Sequence, residues 1–319
     1  MEKLQVRLGF VANALRLADC SPSKTITLRN INKITERKDQ ISRLISISRE
    51  NLVNTLRILK ANYYDGIRVY RFTSRLIPLC THPQFRDWDY RQDLKYEFQE
   101  IGAFVKNHGM RVSLHPDHFT LLNSPKPEVH ESSLLDLTYH LNVIEAMELD
   151  ESAQMVIHVG GKYEDKTPSL QRFKKNFRAL PPAIKSRLVL ENDDRCFTAM
   201  DVLGLAREIS VPMVLDIHHH RILNNGEKLP EFLPDIFLLW GDKRPKFHIS
   251  SPKSEREPRS HADFIDINTA TSFLDLAKDF QRDLDLMIEA KQKDLALIKL
   301  AQELRERNYN LPTDGEIIL

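Results

Sequence analysis

Glycine is scarce in this chain, ten residues in 319, and no Gly-x-Gly-x-x-Gly run follows the first apolar segment. That removes the phosphate-cradling turn on which open dinucleotide-binding sheets depend. Cysteine is scarcer: Cys20, Cys80 and Cys196 lie far apart, with no Cys-x-x-Cys pair. A disulfide framework and a thiolate zinc site are therefore excluded, and the pattern suits a reducing cytosol. No stretch approaches the roughly 18 consecutive apolar residues of a membrane span, and residues 1–7 form no apolar signal segment. The expectation is a cytoplasmic protein without a membrane partner. Nor is there an excess of charge of either sign, with 46 basic and 45 acidic residues. Any nucleic-acid partner must be held by a local basic surface.

What is present is alternation. Strand-like apolar runs at 6–12, 66–72, 111–115, 154–159, 187–191, 213–217, 245–249 and 285–288 are separated by helix-like segments. The helices are expected at 37–59, 91–107, 131–147, 167–180, 197–208, 230–239, 267–280 and 293–307. Thr167 reads as an N-cap with Pro168 at N1, and Pro234 should break its helix. Strands that alternate with crossover helices make a parallel sheet. Eight such units without a linker predict a single (β/α)8 TIM barrel domain over 1–319, with its core at about 6–307.

The strand ends carry the chemistry. The run Pro212-Met213-Val214-Leu215-Asp216-Ile217-His218-His219-His220 finishes an apolar segment in a carboxylate and three imidazoles. The same happens at His115, His158, Glu191, His248 and Glu289, each at the carboxyl end of its run. In a parallel barrel these ends share one mouth. Buried charges at that density need cations to neutralise them. The ligand count exceeds one tetrahedral ion, and a carboxylate can bridge two ions about 3.5–4 Å apart. Glu191, mid-array, is the best bridge, and His219, His261 and Asp263 are left for a third ion. Ligands of nitrogen and oxygen alone fit Zn²⁺ and Mn²⁺ equally. His108, His130 and His140 read as surface or capping residues, and His218 and His220 have no assigned role.

Around the mouth, 250–260 is small and basic, with Lys253, Arg256 and Arg259. Arg71, Arg75, Lys162, Lys166 and Arg195 follow other strands, interleaved with Glu164, Glu255 and Glu257. A locally basic rim around a polynuclear metal centre suits a phosphodiester substrate.

Assembled, these residues resemble the UV damage endonuclease family. The resemblance is carried by Arg7-Leu8-Gly9-Phe10, Ile77-Pro78-Leu79-Cys80-Thr81-His82-Pro83, Leu114-His115-Pro116, Val156-Ile157-His158-Val159-Gly160-Gly161, Leu188-Val189-Leu190-Glu191-Asn192-Asp193, the Asp216 run and Lys246-Phe247-His248-Ile249-Ser250-Ser251. It runs from about Val6 to Lys291 and implies a barrel related to endonuclease IV, with metals, often manganese, at the mouth. It further implies nicking of double-stranded DNA immediately 5′ to cyclobutane dimers and (6-4) photoproducts, with no obligatory protein partner. Two central ions would use His115, His158, Glu191, Asp216, His248 and Glu289, and a third His219 and His261, with Asp263. His82 falls on a family histidine near the site, and Lys246 on a lysine that the family can carboxylate. His118-Phe119 stands where the family often has a glutamine–tyrosine pair that probes the duplex, and Phe10 where tyrosine is common. Two rival readings are a sugar isomerase or epimerase on a similar barrel and a non-catalytic damage-binding barrel.

Overall fold

The computed structural model describes residues 4–163 and 165–319. Met1 to Lys3 and Glu164, one of the acidic residues of the expected rim, lie outside the described residues. Eight strands close the barrel: β1 Gln5–Val11, β2 Val69–Arg71, β3 Arg111–Leu114, β4 Gln154–His158, β5 Leu188–Glu191, β6 Met213–Asp216, β7 Lys246–Ile249 and β8 Leu284–Ile288. Each is parallel to its neighbours in chain order, and β1 pairs with both β8 and β2. Strand residues such as Met155, Val156 and Ile157 are buried on both faces. This is why the strands read as continuous apolar runs.

Among the described residues, twelve α-helices surround the barrel. The first six are α1 Leu28–Ile31, α2 Arg37–Tyr64, α3 Tyr90–Asp93, α4 Lys95–Asn107, α5 Pro127–Ala146 and α6 Lys166–Ala179. They are followed by α7 Pro182–Lys185, α8 Ala199–Ile209, α9 Ile217–Ile222, α10 Leu229–Leu239, α11 Ile267–Lys278 and α12 Lys293–Glu306. Among the described residues, no helix is long and apolar enough to cross a membrane.

Several local expectations are corrected. The second strand is three residues long, and α2 runs five residues past its expected end. The cap of α6 is Asp165, whose side chain accepts from the Thr167 amide, so Pro168 sits inside the first turn. Pro234 lies within an uninterrupted α10, where the buried Phe232, Leu233, Ile236 and Phe237 hold the helix to the barrel. Beyond the expected core, β9 Asn310–Thr313 and β10 Glu316–Ile318 form a hairpin, and β10 pairs antiparallel with Gln5, Val6 and Arg7. β1 is thus shared, its first half pairing with β10 and its second with β2. Gly9 stands where the two meet: a Cβ there would lie 2.6 Å from the Val69 carbonyl oxygen.

Candidate metal centre

Barrel register sets the ligands side by side, since His158 is level with Glu191 and Asp216 with His248. Two groups of ligand atoms result, each within 4.8 Å: His115, His158 and Glu191, and then Glu191, Asp216, His248 and Glu289. Glu191 belongs to both. Its Oε2 lies 2.9 Å from His115 Nε2 and 3.5 Å from His158 Nε2, and its Oε1 lies 2.6 Å from His248 Nδ1. His248 Nδ1 is also 3.0 Å from Glu289.

Second contacts orient the imidazoles. A carbonyl only accepts, so the contact of His115 Nδ1 with the Pro116 carbonyl (3.0 Å) puts the proton on Nδ1 and frees Nε2 as ligand. His219 is held likewise by the Asn192 carbonyl at 2.9 Å. The Asn192 side chain donates to the Asp216 carbonyl (3.0 Å) and accepts from the Asp216 amide (2.9 Å), tying β5 to β6 directly beneath the ligands. Sequence reasoning passed over Asn192; its only signal is its place beside Glu191.

Without an ion, the negative charge of this site is met by Arg71 and by protons on its imidazoles. Glu191 and Asp216 are buried, and Arg71 pairs with Glu289. Burial works against ionisation of Glu191, but His248 and His158 outweigh it and hold its carboxyl well below the usual range. Burial, reinforced by Glu191 and Glu289, raises Asp216. His248 is lowered by burial but lifted further by Glu191 and Glu289, to about 9. Asp216 Oδ2 and His248 Nε2 are buried without a hydrogen-bond partner among the described residues. Three clustered carboxylates, imidazoles with oriented lone pairs and orphaned polar atoms fit divalent cations.

The remaining predicted residues divide. The opening run is a helix start, not a longer strand: Asp216 caps α9, its Oδ1 accepting from the His219 amide at 2.8 Å. That turn faces His219 toward the site, its ring 5.6 Å from that of His158 and 6.3 Å from that of His261. His218 and His220 are buried, the latter edge-on to Phe232. Asp263 is exposed on a cleft with Lys253, Phe264 and Lys291 and joins neither ligand group. His82 caps the turn Pro83–Phe85 in the loop after β2 and also stands outside both groups. Lys246, at the start of β7, is fully buried with Nζ unpartnered among the described residues. Burial, with Arg111 and Arg71 nearby, holds its amine well below the usual range.

Two assignments are overturned. Phe10 is fully buried, edge-on to Tyr70 with centroids 5.6 Å apart, so its ring belongs to the core and is not presented at the surface. His140 is fully buried too, and not a surface histidine. His118 lines a cleft of about 270 Å³ with Arg71, Arg75 and His115, and Phe119 is 55% exposed beside it. On the rim Lys253 pairs with Glu257, Arg259 lies 3.6 Å from Asp194, and Arg256 is exposed.

Residues 6–317 match the family described as UV-endonuclease UvdE. A UV DNA damage endonuclease of Bacillus pumilus is 44% identical over 319 residues, 99% of each chain. The crystal structure of SacUVDE superposes with a TM-score of 0.85 at 34% identity, covering 95% of this chain and 99% of that one. Endonuclease IV from Thermus thermophilus, at 16% identity and TM-score 0.55, shares the fold. With the family's signature spanning the barrel and its ligand-bearing strand ends in register, the chain belongs to the UV-endonuclease UvdE family.

Proposed function

We propose that the chain is a metal-dependent DNA repair endonuclease that hydrolyses the phosphodiester immediately 5′ to cyclobutane dimers and (6-4) photoproducts. The observation that carries this reading is Glu191, one buried carboxylate common to two ligand groups. That is the arrangement of a two-ion clamp for in-line displacement at phosphorus. His115, His158 and Glu191 would hold one ion, and Glu191, Asp216, His248 and Glu289 the second. His219 and His261 would hold a third, with Asp263 joining if the turn after β7 folds inward. Manganese is favoured over zinc. Bound, the ions supply Lewis-acid activation of water and neutralise charge on the phosphate.

The chain's own groups do the rest. Arg71, Lys253, Arg256, Arg259 and His118 meet backbone phosphates, His82 and Lys246 support the reacting centre, and the neutral Lys246 amine is the form open to carboxylation. Phe119, the exposed ring at the mouth, wedges into the stack where a lesion has weakened it; unstacking costs a few kcal/mol, least at damaged pairs.

Single-turnover incubation of a duplex carrying one cyclobutane dimer, with Mn²⁺ or with EDTA, tests the reading. A nick 5′ to the dimer with Mn²⁺ and none with EDTA is expected. Affinity should fall with salt at a slope of about −0.9 per phosphate contact. Salt-independent binding, or metal-dependent epimerisation of a sugar without nicking, would favour the isomerase reading instead.

A further inference from the structure

The segment between β3 and α5 presents the exposed Phe119, yet the stretch that follows the ring is fastened to two helices. Immediately after the ring, Thr120 is buried, and its hydroxyl donates to Asp136 Oδ2 on α5 at 2.5 Å. The Leu121 amide donates to Ser133 Oγ, also on α5, at 2.8 Å. From α6, Asn176 donates to the Leu122 carbonyl (2.7 Å) and Arg172 to the Asn123 carbonyl (2.9 Å). The buried His140 stands behind Asp136, its Nδ1 2.8 Å from the Asp136 carbonyl and 3.4 Å from the carboxylate. Tyr139, on the same helix, accepts from the Ile77 amide in the loop after β2. An exposed aromatic on a loop this firmly held is unusual, because exposed loop tips are ordinarily the least constrained part of a domain.

We propose that Asp136 is a positioning residue for lesion discrimination, acting through Thr120 to hold Phe119 as an unyielding wedge. The inference rests on the reading of Phe119 as a wedge in damaged DNA. The physics is mechanical. A wedge distinguishes damaged from sound DNA only if the stack yields before the wedge does. If the ring can retract, sound DNA is accommodated without unstacking, and the difference between the two substrates shrinks. Loosening the Thr120–Asp136 contact therefore erodes selectivity, chiefly by improving the relative standing of undamaged duplex.

The test is the ratio of affinities for a dimer-containing and an undamaged duplex, measured on the metal-loaded full chain for T120V, T120S, D136A, F119A and the double variant F119A/T120V. T120V should lower the ratio by about tenfold, the equivalent of one hydrogen bond to a charged acceptor. T120S, which keeps the hydroxyl, should retain the ratio, and D136A should follow T120V. F119A/T120V should be no worse than F119A, because both act through one ring. A T120S as impaired as T120V, a neutral T120V beside a damaging F119A, or additive losses would overturn the inference alone. A neutral F119A would overturn the wedge reading and take the inference with it.

Discussion

The two ends of the barrel interior are built from the same residue types and treat charge in opposite ways. At the amino end, Asp285 is fully buried and satisfied within the chain. Arg7 donates to it at 2.7 and 3.1 Å, and Arg111 at 2.7 Å. Burial disfavours its ionised form, but Arg111 and Arg7 hold the carboxyl below the usual range. Arg111 also donates to Gln154 and to the Arg244 carbonyl. At the carboxyl end, Glu191, Asp216 and Glu289 converge with Arg71 as their arginine partner, and polar atoms remain orphaned. A buried anion paired by arginines of its own chain is structural; a cluster of anions balanced in part by imidazole protons, which a cation can displace, is a place for ions from outside. Lys246, level with Asp285 at the amino end, shows how finely the division is drawn, since its amine is held toward the neutral form.

Breaking the internally paired end should have the largest effect. Asp285→Asn leaves Arg7 and Arg111 facing a neutral amide, and loss of one partner of a buried pair costs about 3–5 kcal/mol. Denaturant unfolding of the metal-free chain should show that loss. Ion binding measured on the folded fraction should hold, and a D285N chain that is fully stable but loses its ions would erase the contrast.

At the mouth, Glu191→Gln should act chiefly on catalysis. Nicking should fall by about 10²–10³-fold or more, the loss seen when one electrostatic partner of a transition state is removed. DNA binding should persist, and the metal-free chain should lose some stability at neutral pH, because the His248 imidazole loses the carboxylate that lifts it to about 9. Full nicking by E191Q would remove the bridging role.

The third effect is on pH. His248 and His219 are both raised to about 9, the latter by Asp216 and Glu191 against the pull of burial. Below that pH both imidazoles are protonated in the metal-free protein, and a cation must displace the protons. Metal affinity should therefore climb as pH rises and level off above about 9, with each displaced proton worth about tenfold per pH unit. Calorimetry in buffers of different ionisation enthalpy counts the protons released. A pH-independent affinity between 6 and 9 would show, in the terms of this titration, that these imidazoles are not ligands.

Legibility followed the same division. The barrel was readable because both faces of each strand are buried and the helices carry a regular apolar period. The candidate ligands that the fold gathers were conspicuous because each stands at the end of an apolar run, where a charged residue stands out. Phe10 misled because an aromatic in a motif looks the same whether its ring points to the mouth or, as here, edge-on into Tyr70. His140 misled because its helical position gives no sign that the neighbouring loop is folded over it. The β9–β10 hairpin was missed because two short strands without strong alternation have no signal until β1 offers them an edge.

The order of elements, the class of fold and the residue types gathered at the mouth were determined by the sequence alone, because burial imposes periodicity and charge interrupts it visibly. Which carboxylate is common to both ligand groups, which histidines turn toward them and which loop is braced were decided only in three dimensions. Those properties depend on register between strands, on the hydrogen bond that orients each ring, and on contacts such as Thr120 with Asp136 and Asn192 with Asp216. No local pattern of residues encodes a distance between segments that meet only when the barrel closes.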